Sequence, residues 1–251
     1  MIELTVRAVL LDIEGTTSSI AFVYDVMFPY VRRNVREFLD AEGHRLDVQA
    51  AAEQMAIDAG FANARAWTLT QATKDTTIDR LTSDFVAKHV SSLMDSDSKA
   101  TGLKALQGLI WQAGFESGEL KSHLFHDVMP AIENWSRRGI AIGIYSSGSV
   151  VAQKLFFGHT PHGDLTSYFV RHYDTTVGAK RDTASYERIA ADFGVEPGQI
   201  LFLSDIAAEL EAAGAAGMQG IAVVRPGNAS LPASYRGARI ASFDELDLKL
   251  D

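Results

Sequence analysis

The chain has 251 residues, 47% of them hydrophobic, a net charge of -9 and no cysteine. Its length and apolar fraction suffice for a sizeable buried core and argue against large-scale disorder. The acidic balance, with no basic cluster, excludes general binding to nucleic acid or to an anionic membrane, and the absence of cysteine excludes disulfides, thiolate metal sites and cysteine nucleophiles. The first residues lead straight into a strand without the pattern of a signal peptide, and no apolar run is long enough to span a bilayer, so a cytoplasmic protein is expected.

The stretch Val6 to Thr17 reads VRAVLLDIEGTT. An apolar run from Val6 to Leu11 predicts a strand that stops abruptly at Asp12, Glu14 and Gly15. Ligands of open α/β sheets bind beyond the carboxyl ends of the strands, so acids at that edge point to chemistry; the stretch taken alone reads equally well as a strand end followed by a turn.

From about Ser18 to His126 the pattern is helical. Val31, Val35, Phe38 and Leu39 form one apolar stripe, and Ile78, Leu81, Phe85, Val86, Val90 and Leu93 form another. Gly43, Gly60 and Asp95 to Ser98 punctuate these helices, and Met27, Phe28, Tyr30, Trp67 and Trp111 read as their packing core. From Asp127 onward helix and strand alternate: a helix over Val128 to Arg138, a strand over Ile140 to Tyr145, a helix over Val150 to Phe157, a strand over Ile200 to Leu203, a helix over Ile206 to Ala216 and a strand over Ile221 to Val224. Such alternation predicts an α/β fold, a parallel sheet with helices on both faces and the Val6 strand at its centre. The helical stretch is then an insertion: a core of residues 1–17 and 127–251 carries a helical domain of residues 18–126, with hinges near Ser18 and His126 that allow closure over a substrate.

Three further strand ends are polar. Ser146, Ser147 and Gly148 follow the Ile140 strand, Asp205 follows the Ile200 strand, and a loop DTTVGAK from Asp174 delivers Lys180. With Asp12 and Glu14 these residues fit phosphate-ester hydrolysis, which needs positioning, charge neutralisation and an in-line attacking group. Asp12 can attack phosphorus to form an aspartyl-phosphate. A divalent cation must offset the repulsion between carboxylate and phosphate, and Mg²⁺ suits oxygen ligands from Asp12, Asp205 and the Glu14 segment. Ser146 can hydrogen-bond the non-bridging oxygens, and Lys180 holds nucleophile and phosphoryl group together.

DIEGTT, IYSSGS, the lysine of DTTVGAK and LFLSD, in this order, resemble the four motifs of the haloacid dehalogenase superfamily of phosphatases. The resemblance covers nearly the whole chain and implies a Rossmann-like core with the helical insertion as its cap. Glu14 departs from the superfamily pattern, which places an aspartate two residues after the nucleophile as general acid and base; the extra methylene moves the carboxyl by about 1.5 Å. With YSSGS, QKLFFGH, GAK and VVRPGN, it resembles the enolase-phosphatase family of methionine salvage. That family implies a small phosphorylated diketone as substrate, enolised and then dephosphorylated, with Mg²⁺ on Asp12, Glu14 and Asp205 and with Ser146, Ser147 and Lys180 as substrate contacts. The resemblance implies Asp12, Glu14 and Lys180 as the catalytic set, with Glu14 or a cap residue as the enolisation base. Arg181 in place of a common proline, and Ile206 in place of a second acid, leave the match intact. A capped phosphatase or dehalogenase for another small substrate, such as phosphoglycolate, is the alternative, and a silent phosphate-binding module is a third reading.

Other signals carry less. His123 and His126, and His159 and His162, have no acidic partner at ligand spacing and read as surface or satisfied histidines rather than a zinc site. Gly118 reads as a cap to a helix ending near Gly114, Glu209 either as a partner of Lys180 or the metal or as a first-turn acid, and Arg225 equally as a solvent contact. A monomer is expected, since no interface is legible.

Overall fold

The computed structural model describes residues 1–70 and 78–251, with side chains for 1–70 and 83–251. Of the second predicted stripe, Ile78 and Leu81 therefore lie outside the described side chains. The chain divides into two compact units, one of Met1–Val23 with Lys121–Asp251 and the other of Tyr24–Leu120.

The first unit opens with two strands where one is predicted, β1 (Ile2–Val6) and β2 (Ala8–Leu11), separated by exposed Arg7. The two differ in their surroundings. β1 alternates between partly buried and exposed residues, the pattern of a strand covered on one face, whereas all four residues of β2 are buried. The Arg7 backbone bends between two sheets, its amide donating to Gln199 and its carbonyl accepting from Ala141. The later elements of this unit are the short α1 (Ile20–Phe22) and, after the second unit, α7 (Val128–Arg137), β3 (Ala141–Tyr145), α8 (Val150–Gly158), β4 (Arg171–Tyr173), α9 (Thr183–Phe193), β5 (Ile200–Ser204), α10 (Ala207–Ala215), β6 (Gln219–Val223), β7 (Ala238–Ile240) and β8 (Leu246–Leu250). A six-stranded sheet has the order β4-β3-β2-β5-β6-β7, and β1 pairs separately with β8. Every pairing is parallel, with Leu11 opposite Ile144 on one side and Leu203 on the other.

β2 is central because its neighbours sandwich a strand with no polar side chain to solvate. Leu10 and Phe202 join Tyr186, Ile189, Leu210 and Ala213 of α9 and α10 in one buried cluster. Val9 and Leu11 point the opposite way, as alternation requires, and are equally buried. Because its six strands are all parallel, the larger sheet has their carboxyl ends at one edge, where ligands of such sheets bind.

The second unit is helical: α2 (Phe28–Glu42), α3 (Leu46–Asp58), α4 (Ala64–Leu69), α5 (Ile78–Asp95) and α6 (Thr101–Glu116). The predicted stripe of Val31, Val35, Phe38 and Leu39 is buried, as are Val86 and Val90. Met27, Tyr30 and Trp67 are core residues, and the half-buried Trp111 donates its indole N–H to the Met27 carbonyl at 2.9 Å. Gly114 does not end α6. It lies inside the helix, where a Cβ would come within 2.7 Å of the Tyr30 ring; Gly118, at φ +78°, follows the helix end as predicted.

Candidate active site

Asp12 stands one residue past β2. Its amide donates to the Leu203 carbonyl at 3.0 Å, extending the ladder, and its side chain is only 3% exposed. The chain then turns: Thr16, Thr17 and Ser18 all aim their amides at the Ile13 carbonyl, and the Thr17 hydroxyl reaches back to the Asp12 carbonyl at 3.2 Å. Gly15 makes this possible at φ +77°, and a Cβ there would lie 2.5 Å from Asp205 Oδ2. The glycine thus lets the turn lie directly against the end of β5.

Lys180 reaches the same place from the loop between β4 and α9. Its Nζ donates to Asp12 Oδ1 at 2.7 Å and lies 2.7 Å from Glu209 Oε2. The loop is pinned by neighbouring hydroxyls: Tyr186 donates to the Lys180 carbonyl at 2.6 Å, Ser185 to Ala179 at 2.8 Å and Tyr145 to Gly178 at 2.9 Å. Glu209, in the first turn of α10, also accepts from the Ser204 hydroxyl at 2.9 Å. Of its two sequence readings, the one that pairs it with Lys180 holds.

Asp12, Lys180, Asp205 and Glu209 are all buried, so three carboxylates, two of them paired with the one ammonium, lie in a poorly solvated space. Burial, then the Asp12 carboxylate, push the Asp205 acid up to about 7. Burial likewise raises Glu209 against the pull of Lys180. Burial lowers Lys180, but Asp12 and Glu209 outweigh it and hold the ammonium above the usual lysine range. The excess of buried negative charge is what a bound divalent cation offsets, and Asp12 and Asp205 suit Mg²⁺, which keeps several waters and takes one or two carboxylates. Among the described residues no three acids or imidazoles converge as a cage of their own. Glu14 is half-buried in the turn, its backbone bridged to Ser18.

Ser146 ends β3, the strand beside β2, and is buried, whereas Ser147 is exposed. The Ser146 hydroxyl accepts from the Gly148 amide at 3.1 Å, which leaves its proton to donate. Ser149 caps α8, accepting from the Ala152 amide.

Two residues of VVRPGN belong here although sequence reasoning did not place them. Arg225 is buried rather than solvent-facing. Its Nε donates to the Thr16 carbonyl at 3.1 Å, its Nη1 to Asp127 Oδ1 at 3.0 Å and to the Ala241 carbonyl at 2.9 Å, and its guanidinium lies 4.4 Å from the centre of the Phe125 ring. Asp127 accepts as well from the Phe243 amide and the Ser242 hydroxyl, and although burial opposes it, the arginine holds its carboxyl below the usual range. Asn228 donates to the Gly15 carbonyl at 2.9 Å. The signal that finds both is position: they follow β6 at the same edge as the other motifs.

The histidines form no metal site among the described residues. His123 lies outside any helix, and its Nδ1 accepts from the Ser19 amide at 3.2 Å. No described helix is long and apolar enough to cross a membrane.

The chain as a whole is similar to known proteins. Residues 6–217 match the family model of haloacid dehalogenase-like hydrolases. The enolase-phosphatase E1 of Sorangium cellulosum is 43% identical over 98% of this chain and 99% of its own length. That of Synechococcus elongatus is 45% identical over 96% and 98%. Among solved structures, the UTR4 protein of Saccharomyces cerevisiae superposes with a TM-score of 0.76 at 32% identity, covering 96% of this chain and 99% of its own.

Proposed function

The chain belongs to the haloacid dehalogenase-like hydrolases and, within them, to the enolase-phosphatases E1; from that membership we propose how its strand-end site performs the two steps. The activity is that of an acireductone synthase: 2,3-diketo-5-methylthiopentyl-1-phosphate is enolised and its phosphate then removed, as part of methionine salvage.

The observation that carries the reading is the buried chain Asp12–Lys180–Glu209, with 2.7 Å at each link. Glu209 aims the lysine, and the lysine orients Asp12 and shields its charge from an approaching phosphoryl group. An Asp12 carboxylate oxygen attacks phosphorus as the bond from phosphorus to the ester oxygen breaks, the departing oxygen takes up a proton from water, and the aspartyl-phosphate is hydrolysed by a second water to Asp12 and inorganic phosphate. Ser146 donates its hydroxyl proton to a non-bridging oxygen, and Ser147, at the mouth of the same loop, contacts the substrate. Asp12, Asp205 and the Glu14 segment would hold Mg²⁺, which would supply charge neutralisation at the phosphate and polarisation of the diketone oxygens. The proton at the adjacent carbon is taken by Glu14 or by a residue of the helical insertion, residues 18–126. The functional unit we propose is a monomer in a reducing cytoplasm, which the lack of cysteine in the sequence fits.

Ultraviolet absorbance and phosphate release, followed together on the diketo phosphate, test this. An enol that appears and then decays as Mg²⁺-dependent phosphate accumulates is expected. Phosphate release from generic esters with no enol would favour a capped phosphatase for another small substrate.

A further inference from the structure

We infer that Asn228, in the loop after β6, is a positioning residue of the cation site, its Oδ1 accepting a hydrogen bond from water on the cation held by Asp12 and Asp205. The inference rests on the magnesium reading above and adds a residue to it.

The amide orientation is fixed by its partners. Nδ2 donates to the Gly15 carbonyl at 2.9 Å and to the Val223 carbonyl at 3.2 Å. Both partners are acceptors, so a flipped amide would set oxygen against oxygen twice, and Oδ1 must face the other way. There it is shut off from solvent and has no donor among the described residues. The direction it faces is given by Gly15: the position of a Cβ on that residue is 3.0 Å from Asn228 Oδ1 and 2.5 Å from Asp205 Oδ2. Two acceptor oxygens, one from an amide and one from a carboxylate, thus pack against the α-carbon of Gly15, where any larger residue would collide with both. A buried acceptor without a donor is costly, and a hydrated cation brings donors to it. Magnesium retains much of its water, so ligands of that water are part of its site. Arg225 and Asn228 also hold successive carbonyls, Thr16 and Gly15, of the turn that follows the nucleophile.

Isothermal titration of the metal-free protein with Mg²⁺, paired with thermal unfolding in EDTA, separates this role from a structural one. Asn228→Ala removes both the donor and the oxygen, whereas Asn228→Asp removes the donor and keeps an oxygen. Both variants are expected to unfold earlier in EDTA. Asn228→Ala is expected to bind Mg²⁺ at least about 10-fold more weakly, and Asn228→Asp to bind it as tightly as wild type or more tightly. Unchanged affinity in Asn228→Ala, or an equal loss in both variants, overturns the inference, because a brace for Gly15 alone makes the two behave alike. If Asn228→Ala does not fold, Asn228→Ser, too short to reach the same space, takes its place with the same expectation. Asp205→Asn is the control: if it binds Mg²⁺ unchanged, the magnesium reading itself fails, whereas its loss beside an unaffected Asn228→Ala sinks only the inference.

Discussion

Replacing Lys180 with methionine keeps the apolar stem and removes the ammonium that Asp12 and Glu209 share. Both contacts are 2.7 Å and all three side chains are buried, so two carboxylates lose their partner where water cannot replace it. Removing one partner of a buried ion pair costs roughly 3–5 kcal/mol, and nearby Asp205 adds a third acid to the orphaned charge. Chemical denaturation in EDTA near neutral pH should therefore show a loss of about 3–5 kcal/mol. The wild-type ammonium is held above the ordinary lysine value of 10.5, so its contribution is fully present below that value and is lost only as pH rises through the folded value. Between about pH 8 and pH 5 the lysine does not titrate, whereas orphaned carboxylates take up protons, and the variant's deficit should shrink as pH falls. Mg²⁺ should bind the variant more tightly, because a repelling charge is gone, even as phosphate release falls by roughly 100-fold or more. Adding Glu209→Gln should restore at least about 1 kcal/mol, a coupling that independent sites lack. A deficit below about 1 kcal/mol, or one independent of pH, would refute the shared-charge account.

Arg225→Met should destabilise the protein by about 3–5 kcal/mol, since Asp127 is left charged and buried; Arg225→Lys should recover little, because the bonds to Thr16, Asp127 and Ala241 need a guanidinium fork. Urea denaturation of the two variants checks this. Asp205 has its folded pKa raised to about 7 from 3.8, so its stabilising effect is complete at low pH and is lost as pH rises through that window; in EDTA the wild type should lose stability from about pH 5 to pH 8 more steeply than Asp205→Asn, and equal slopes would contradict the raised acid. Gly15→Ala should cost at least about 1 kcal/mol in backbone strain at φ +77° and weaken Mg²⁺ binding by displacing Asp205, both measurable by thermal unfolding with and without the cation.

The central strands were legible because they are buried on both faces. Leu10 and Leu11, Ile140 to Tyr145 and Ile200 to Leu203 read as unbroken apolar runs, and the polar residue that ends each run lies at the ligand edge. β4, β7 and β8 carry no such signal. β4 and β7 are only three residues long, at the sheet margins, and β8 reads LDLKL with an exposed end, so pairing rather than hydrophobic pattern defines them. The bend at Arg7 was hidden for a related reason, since one charged residue within an apolar run looks like ordinary alternation. Glu209 needed the structure, because a first-turn acid and a partner for Lys180 are the same letter in a sequence. The role of Arg225 was not legible, since its partners, Thr16 and Asp127, lie 209 and 98 residues away. No local pattern reports a bond of that span.

The account turns on Asp12 as the group that takes the phosphoryl. Acid quench during turnover, borohydride reduction and peptide mass spectrometry test this directly, because hydride reduces an acyl phosphate and spares a free carboxylate. Homoserine at position 12, formed only with substrate and Mg²⁺ and absent from Asp12→Asn, is the predicted result. Full turnover with unmodified Asp12, or undiminished phosphate release by a folded Asp12→Asn, would contradict it.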